Sequence, residues 1–99
     1  MNKTNSKMIS QIRESIINVA EKYAISKVTL FGSQASGTAT EDSDIDLMVE
    51  FNKPVTLITL ASLKYDLEEM LNKNVDVIHG PLRDTDYIEF ERTVDIYEA

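Results

Sequence analysis

Gly32-Ser33-Gln34-Ala35-Ser36-Gly37-Thr38-Ala39-Thr40-Glu41-Asp42-Ser43-Asp44-Ile45-Asp46 is the stretch on which the fold of this chain turns. It follows a short β-branched and aromatic run, Lys27–Phe31, that reads as a strand ending at Gly32. It leads into residues 45–51, where Ile45, Leu47, Val49 and Phe51 alternate with Asp46, Met48 and Glu50. That alternation is the period of a half-buried strand. Side chains at i and i+2 share one face of a strand, so Asp44 and Asp46 project together while Ile45, Leu47 and Val49 face the other way. The α-carbons of the two acids then lie roughly 6–7 Å apart, close enough for their carboxylates to converge on shared cations.

A third acid lies in a later apolar run. Asp76 stands between Val75 and Val77, and on a neighbouring strand, ~4.8 Å away, it would complete an acidic cluster. Three acids near one point repel each other unless cations lie between them, and carboxylates, phosphates and water are the ligands Mg²⁺ takes. Paired ions stabilise the attacking and leaving oxygens of an in-line displacement. Gly32 lets a phosphate approach the backbone, and Ser33 offers a hydroxyl and an N–H at the start of a helical turn, where anions are favoured. Ser43 is a further candidate contact, with a plain turn hydroxyl as its other reading. Gly32 and Gly37 have the spacing of a P-loop, but Thr38-Ala39 stands where Lys-Ser/Thr is required, so the Walker reading fails.

Outward from this centre the chain alternates helices and strands. Residues 1–7 read as polar and loose, with Ser6 as a helix cap. Met8, Ile9, Ile12, Ile16, Val19, Ala20 and Tyr23 form the stripe of an amphipathic helix. Ser33–Gly37 reads as a turn into a short helix, and Thr38–Ser43 as a polar loop. After Pro54, a second helical stripe comprises Leu57, Leu60, Ala61, Leu63, Leu67, Met70 and Leu71. Asn72–Asn74 is a turn, Val75–His79 a strand, Gly80-Pro81 its end, and residues 84–95 a last amphipathic helix. The pattern predicts an α/β domain of the α+β type, a small mixed sheet covered by helices.

The chain has 99 residues, 42% hydrophobic and 27% charged, a formal net charge of −7 and no cysteine. This length suits one domain, residues 1–99, and leaves no room for a separate acceptor-binding domain. The negative charge argues against direct contact with nucleic-acid backbone and suits a basic partner. No apolar run approaches the ~20 residues of a membrane span, and no signal peptide opens the chain. With no thiol for a disulfide, the expectation is a cytoplasmic protein.

Taken together, Gly32-Ser33, ten intervening residues, Asp44-x-Asp46 and the later Asp76 resemble the nucleotidyltransferase superfamily of DNA polymerase beta. The short chain is most similar to the minimal nucleotidyltransferase (MNT) antitoxins, whose partner is a helical HEPN ribonuclease toxin. The resemblance runs from the first helix to Ile96-Tyr97-Glu98. It implies the polymerase-beta-like fold, Gly32 and Ser33 holding the triphosphate of ATP, Asp44 and Asp46 binding a pair of Mg²⁺ ions, and Asp76 as the third acid, which helps activate the acceptor hydroxyl. The implied reaction is transfer of AMP from ATP to a tyrosine of the HEPN toxin, with loss of pyrophosphate. Many relatives carry arginine where this chain has Gln34 and Ser36, so two phosphate-seeking cations are missing. Two alternatives follow: an antitoxin that acts by binding alone, and a transferase for an aminoglycoside-like small acceptor that needs a partner subunit.

The remaining polar and aromatic residues have plainer readings. His79, the one histidine, is expected to sit inert at a strand end. Tyr65, Tyr87 and Tyr97 are read as packing residues on or beside helical stripes, with adenine stacking as the functional alternative. Lys64, Glu68 and Glu69 are read as a solvated helix face.

Overall fold

The computed structural model describes residues 3–32, 43–80 and 93–99. Helix α1, Lys3–Tyr23, buries the stripe Ile12, Ile16, Val19, Ala20 and Tyr23. It begins earlier than its apolar stripe. Ser6 therefore lies inside the helix rather than at its cap, and from Lys3 onward the polar start is helical rather than loose. A helix already nucleated by packing extends at the cost of ordering one residue per added hydrogen bond. It stops where Ala24 turns to φ +56°, a left-handed conformation unusual for alanine.

Strand β1, Ile25–Phe31, then runs antiparallel to β2, Ile45–Phe51, with Val28 opposite Val49 and Leu30 opposite Leu47. After β2 the chain crosses over through helix α2, Leu57–Leu71, and returns as β3, Val75–His79, parallel to β2. A parallel return requires such a crossover. Thr56 caps α2, its Oγ1 accepting the N–H of Thr59 at 3.2 Å. Asn72, at φ 55°, ends it, as a residue that tolerates the left-handed region.

The second helical stripe is narrower than the sequence suggests. Leu63 and Leu67 are buried and Leu71 partly so, but Leu57 is 82% exposed, Met70 41% and Tyr65 63%. Tyr65 is therefore not a packing residue. A two-layer fold needs only one side of a helix covered, and the apolar residues beyond that arc stay outside.

The last helix expected over 84–95 is corrected at its end. Val94–Glu98 forms strand β4, antiparallel to β1; residues 84–92, with Tyr87, lie outside the described residues, as do Ser33–Asp42. Val94, Ile96 and Tyr97 suit a strand, and the edge of β1 offers backbone partners that outweigh a local helical pattern. Tyr97 accordingly packs against the core from a strand. The strand order is β3-β2-β1-β4, and the sheet is mixed. The two described helices lie on one face: Ile12, Ile16, Leu63 and Leu67 meet Val28, Leu30, Ile45, Leu47, Val49, Val75 and Ile96 in one core. Across the helix pair, Tyr23 donates to Asp66 at 2.6 Å and Lys22 reaches the same carboxylate at 3.1 Å.

Candidate active site

Burial of one strand face dictates what stands on the other. Ile45, Leu47 and Val49 are fully buried, so Asp46, Met48 and Glu50 are turned to the opposite side of β2. Val75 is fully buried in β3, which turns Asp76 outward in the same way. The Ile45 N–H donates to the Asn74 carbonyl at 3.0 Å, and from that rung Asp46 falls opposite Asp76. Partners in a ladder project to the same face, so the apolar packing below brings two acids together above. Asp44 lies exposed two residues before Asp46, at the mouth of the strand.

The two acids are direct partners in the parallel ladder. Burial, then the charge and hydrogen bond of Asp76, then the charge of Asp44 hold the Asp46 carboxyl above the usual carboxylate range. Every charge named there is negative. Such a site gains from a cation, and its oxygen donors are those a divalent ion such as Mg²⁺ accepts. Among the described residues, however, no group of three or more acids or histidines is closed into a metal-holding cluster. Asp46 and Asp76 are ladder partners, while Asp44 contributes through its charge. Phosphate oxygens and water would have to supply the rest of a coordination shell.

Gly32 closes the site from the side of β1. It follows Phe31, the residue opposite Asp46 in the antiparallel ladder, and has φ +79°. A Cβ at this position would collide with Oδ2 of Asp46. Glycine is thus required twice, for the backbone angle and for the space the carboxylate occupies.

Of the residues singled out in the sequence, Gly32, Asp46 and Asp76 come together, and Asp44, exposed before the strand, adds its charge without closing a three-acid cluster among the described residues. Ser43, half-buried beside Asp44, joins them along the chain. Ser33, Gln34 and Ser36 lie outside the described residues. His79 is exposed at the end of β3, its ring edge-on to Phe51 at 5.5 Å, a packing contact away from the acids. The expected solvated face of α2 is different. Lys64 and Glu68 form an ion pair of 2.8 Å that also grips the backbone of Val75, next to Asp76. Their i,i+4 spacing and the strand Val75–His79 were visible in the sequence; the contact between them was not.

A small mixed sheet that sets adjacent acids beside a strand-end glycine is the architecture of a nucleotidyltransferase. Residues 14–96 match the family described as Polymerase beta, Nucleotidyltransferase. A Methanocaldococcus jannaschii protein with the provisional name protein adenylyltransferase is 42% identical over 81 residues, covering 77% of this chain and 87% of that protein. A solved structure provisionally described as a minimal nucleotidyltransferase superposes with a TM-score of 0.59 at 40% identity, over 68% of each chain. A chain from the structure of the tri-AMPylated Shewanella oneidensis HEPN toxin in complex with MNT antitoxin gives a TM-score of 0.64. At 18% identity, over 92% of this chain and 73% of that one, it is a likeness of fold. The chain belongs to the polymerase beta nucleotidyltransferase family, among its minimal nucleotidyltransferases.

Proposed function

We propose that this chain is an antitoxin that transfers AMP from ATP to a tyrosine of a cognate HEPN ribonuclease toxin, and so silences it. The observation that carries the reading is the meeting of Asp46 and Asp76 beside Gly32, with Asp44 adding its charge. A relative named for protein adenylyltransfer and a similarly folded antitoxin complex whose toxin is AMPylated support the acceptor class. The protein acts as one nucleotidyltransferase domain in the cytoplasm. Among the described residues no helix is long and apolar enough to cross a membrane. A charge of −7 suits neither a nucleic acid nor an anionic lipid surface.

In this mechanism Asp44 and Asp46, with Asp76 beside them, would hold divalent ions, which would supply neutralisation of charge on the triphosphate. Gly32, after the end of β1, and Ser33, next to it in the sequence, would receive the phosphates, with Ser43 preceding Asp44 ahead of β2. The tyrosine oxygen attacks the α-phosphorus in line. A new O–P bond forms, the bond to the β-phosphate bridging oxygen breaks, and pyrophosphate leaves. Asp76 takes the phenolic proton as the nucleophile forms. Burial, then Asp76 and Asp44, disfavour the charged form of Asp46, and a cation brought with the nucleotide would relieve that cost.

The test is the intact mass of the co-expressed toxin, with wild-type protein and with Asp44→Asn/Asp46→Asn. A gain of one or more AMP units with the wild type alone supports the proposal. A toxin that stays unmodified yet silenced would mean inhibition by contact and overturn it.

A further inference from the structure

Strand β3 is held to the sheet by β2 alone among the described strands, so one of its edges has no strand neighbour. Backbone groups of successive strand residues point to opposite edges. The Asn74 carbonyl points to β2, where it accepts the Ile45 N–H; the N–H and C=O of Val75 therefore point outward. Helix α2 meets both. Glu68 Oε2 accepts the Val75 N–H at 2.9 Å, and Lys64 Nζ donates to the Val75 carbonyl at 2.6 Å. The two side chains are joined at 2.8 Å.

The Val75 carbonyl belongs to the peptide that leads into Asp76, so its orientation sets the direction in which Asp76 leaves the backbone. We propose that Lys64 and Glu68 are positioning residues, a clamp on Val75 that holds Asp76 against Asp46. This rests on the catalytic reading above.

The clamp has a force to resist. Asp46 and Asp76 are neighbours of like charge on adjacent strands, and their repulsion pushes a five-residue edge strand outward. The β2 ladder and the buried Val75 side chain oppose that displacement from one edge and one face. The ion pair opposes it from the remaining edge. A half-exposed ion pair contributes little to global stability, but fixing one peptide plane requires only local stiffness. The comparable pair between Lys22 and Asp66 joins α2 to α1 and touches no strand. It is the natural control.

The experiment is Mn²⁺ binding by the full chain in the presence of AMP-PNP, followed by electron paramagnetic resonance. Lys64→Met should weaken Mn²⁺ binding about tenfold, the lower end of what loss of a group supporting a metal ligand costs. Lys64→Met/Asp76→Asn should bind no more weakly than Asp76→Asn alone, because the clamp acts through Asp76. Lys64→Arg, which keeps a donor, should bind within about twofold of wild type, and Lys22→Met should leave binding unchanged. Thermal unfolding of each variant checks its fold; Glu68→Gln replaces Lys64→Met if that chain melts near the assay temperature. Wild-type affinity in Lys64→Met, or losses that add to those of Asp76→Asn, would overturn the clamp while leaving the catalytic reading intact. A wild-type chain that ignores Mn²⁺ would overturn both.

Discussion

Asp46 and Asp76 stand opposite each other across the parallel β2–β3 ladder, where burial and then the charge of Asp76 hold the Asp46 carboxyl above the usual carboxylate range. Their positions follow from what lies beneath them, since Ile45, Leu47 and Val75 are fully buried on the other side. The core thus pins the acids, and the acids strain the strands that carry them. With no cation between the acids, the protein should be more stable once one of the charges is removed. Asp46→Asn is therefore expected to raise the midpoint of urea denaturation in the presence of a chelator at pH 7. The same change should abolish AMP transfer, and it should shrink the stabilisation expected of the wild type on adding Mg²⁺ with AMP-PNP. A lowered midpoint in chelator would contradict the account of Asp46.

Gly32 touches the same carboxylate from the other side. Gly32→Ala adds a methyl group where Oδ2 of Asp46 lies and imposes alanine on φ +79°. The left-handed angle alone costs about 1–2 kcal/mol. On the proposed mechanism, a displaced Asp46 should lower the transfer rate at least tenfold, by misplacing a carboxylate proposed to hold the ions. Denaturation and single-turnover rates read the two effects separately. An alanine variant with unchanged rate would show that the glycine serves the turn and not the site.

Much of this was legible in the chain. The alternation over 45–51 foretold β2 and the face carrying Asp46, and Val75–His79 foretold β3 to the residue. Strand pairing then placed Asp76, because the acid lies between two residues the core requires. The misreadings share a cause. Residues 94–95 fit a helical pattern locally, yet they pair with β1, a partner distant in sequence. Lys64 and Glu68 looked like a helix face in water until β3 was found beside them. Leu57 and Tyr65 fit an apolar stripe by spacing, but their exposure depends on how far the sheet extends under α2. Periodicity reports which residues share a face, and only tertiary contacts report what covers it.

Acid should loosen the α2 contacts before it unfolds the core. Hydrogen bonding from Lys64, then from the Val75 N–H, holds the Glu68 carboxyl below its usual range; Tyr23 and then Lys22 do the same for Asp66. A carboxyl depressed in the folded state contributes stability above its unfolded value and loses it as pH falls through the folded one. Stability should therefore decline from just above the ordinary carboxylate range downward. In Glu68→Gln that decline should be shallower and the neutral-pH stability lower. Urea midpoints measured from neutral pH into the acid range will test this; parallel curves for the two proteins would remove Glu68 from the account.

Ala24 offers a gain where the others offer losses. It joins α1 to β1 at φ +56°, and its carbonyl accepts the Asn52 N–H at 2.7 Å. The backbone is thus fixed in the left-handed region by a contact made far from the site, and the alanine methyl is strained there. Ala24→Gly removes that strain but gives the unfolded chain more freedom, and the two terms oppose each other. The left-handed penalty, about 1–2 kcal/mol, exceeds the roughly 0.4–1 kcal/mol gained by the unfolded state. The net expectation is stabilisation by up to about 1 kcal/mol. In a chain of 99 residues, thermal unfolding should register this as a midpoint raised by up to ~4–8 °C. AMP transfer should be unchanged, since Ala24 lies at the other end of β1 from Gly32. A lowered midpoint would mean that the freedom gained by the unfolded chain outweighs the strain.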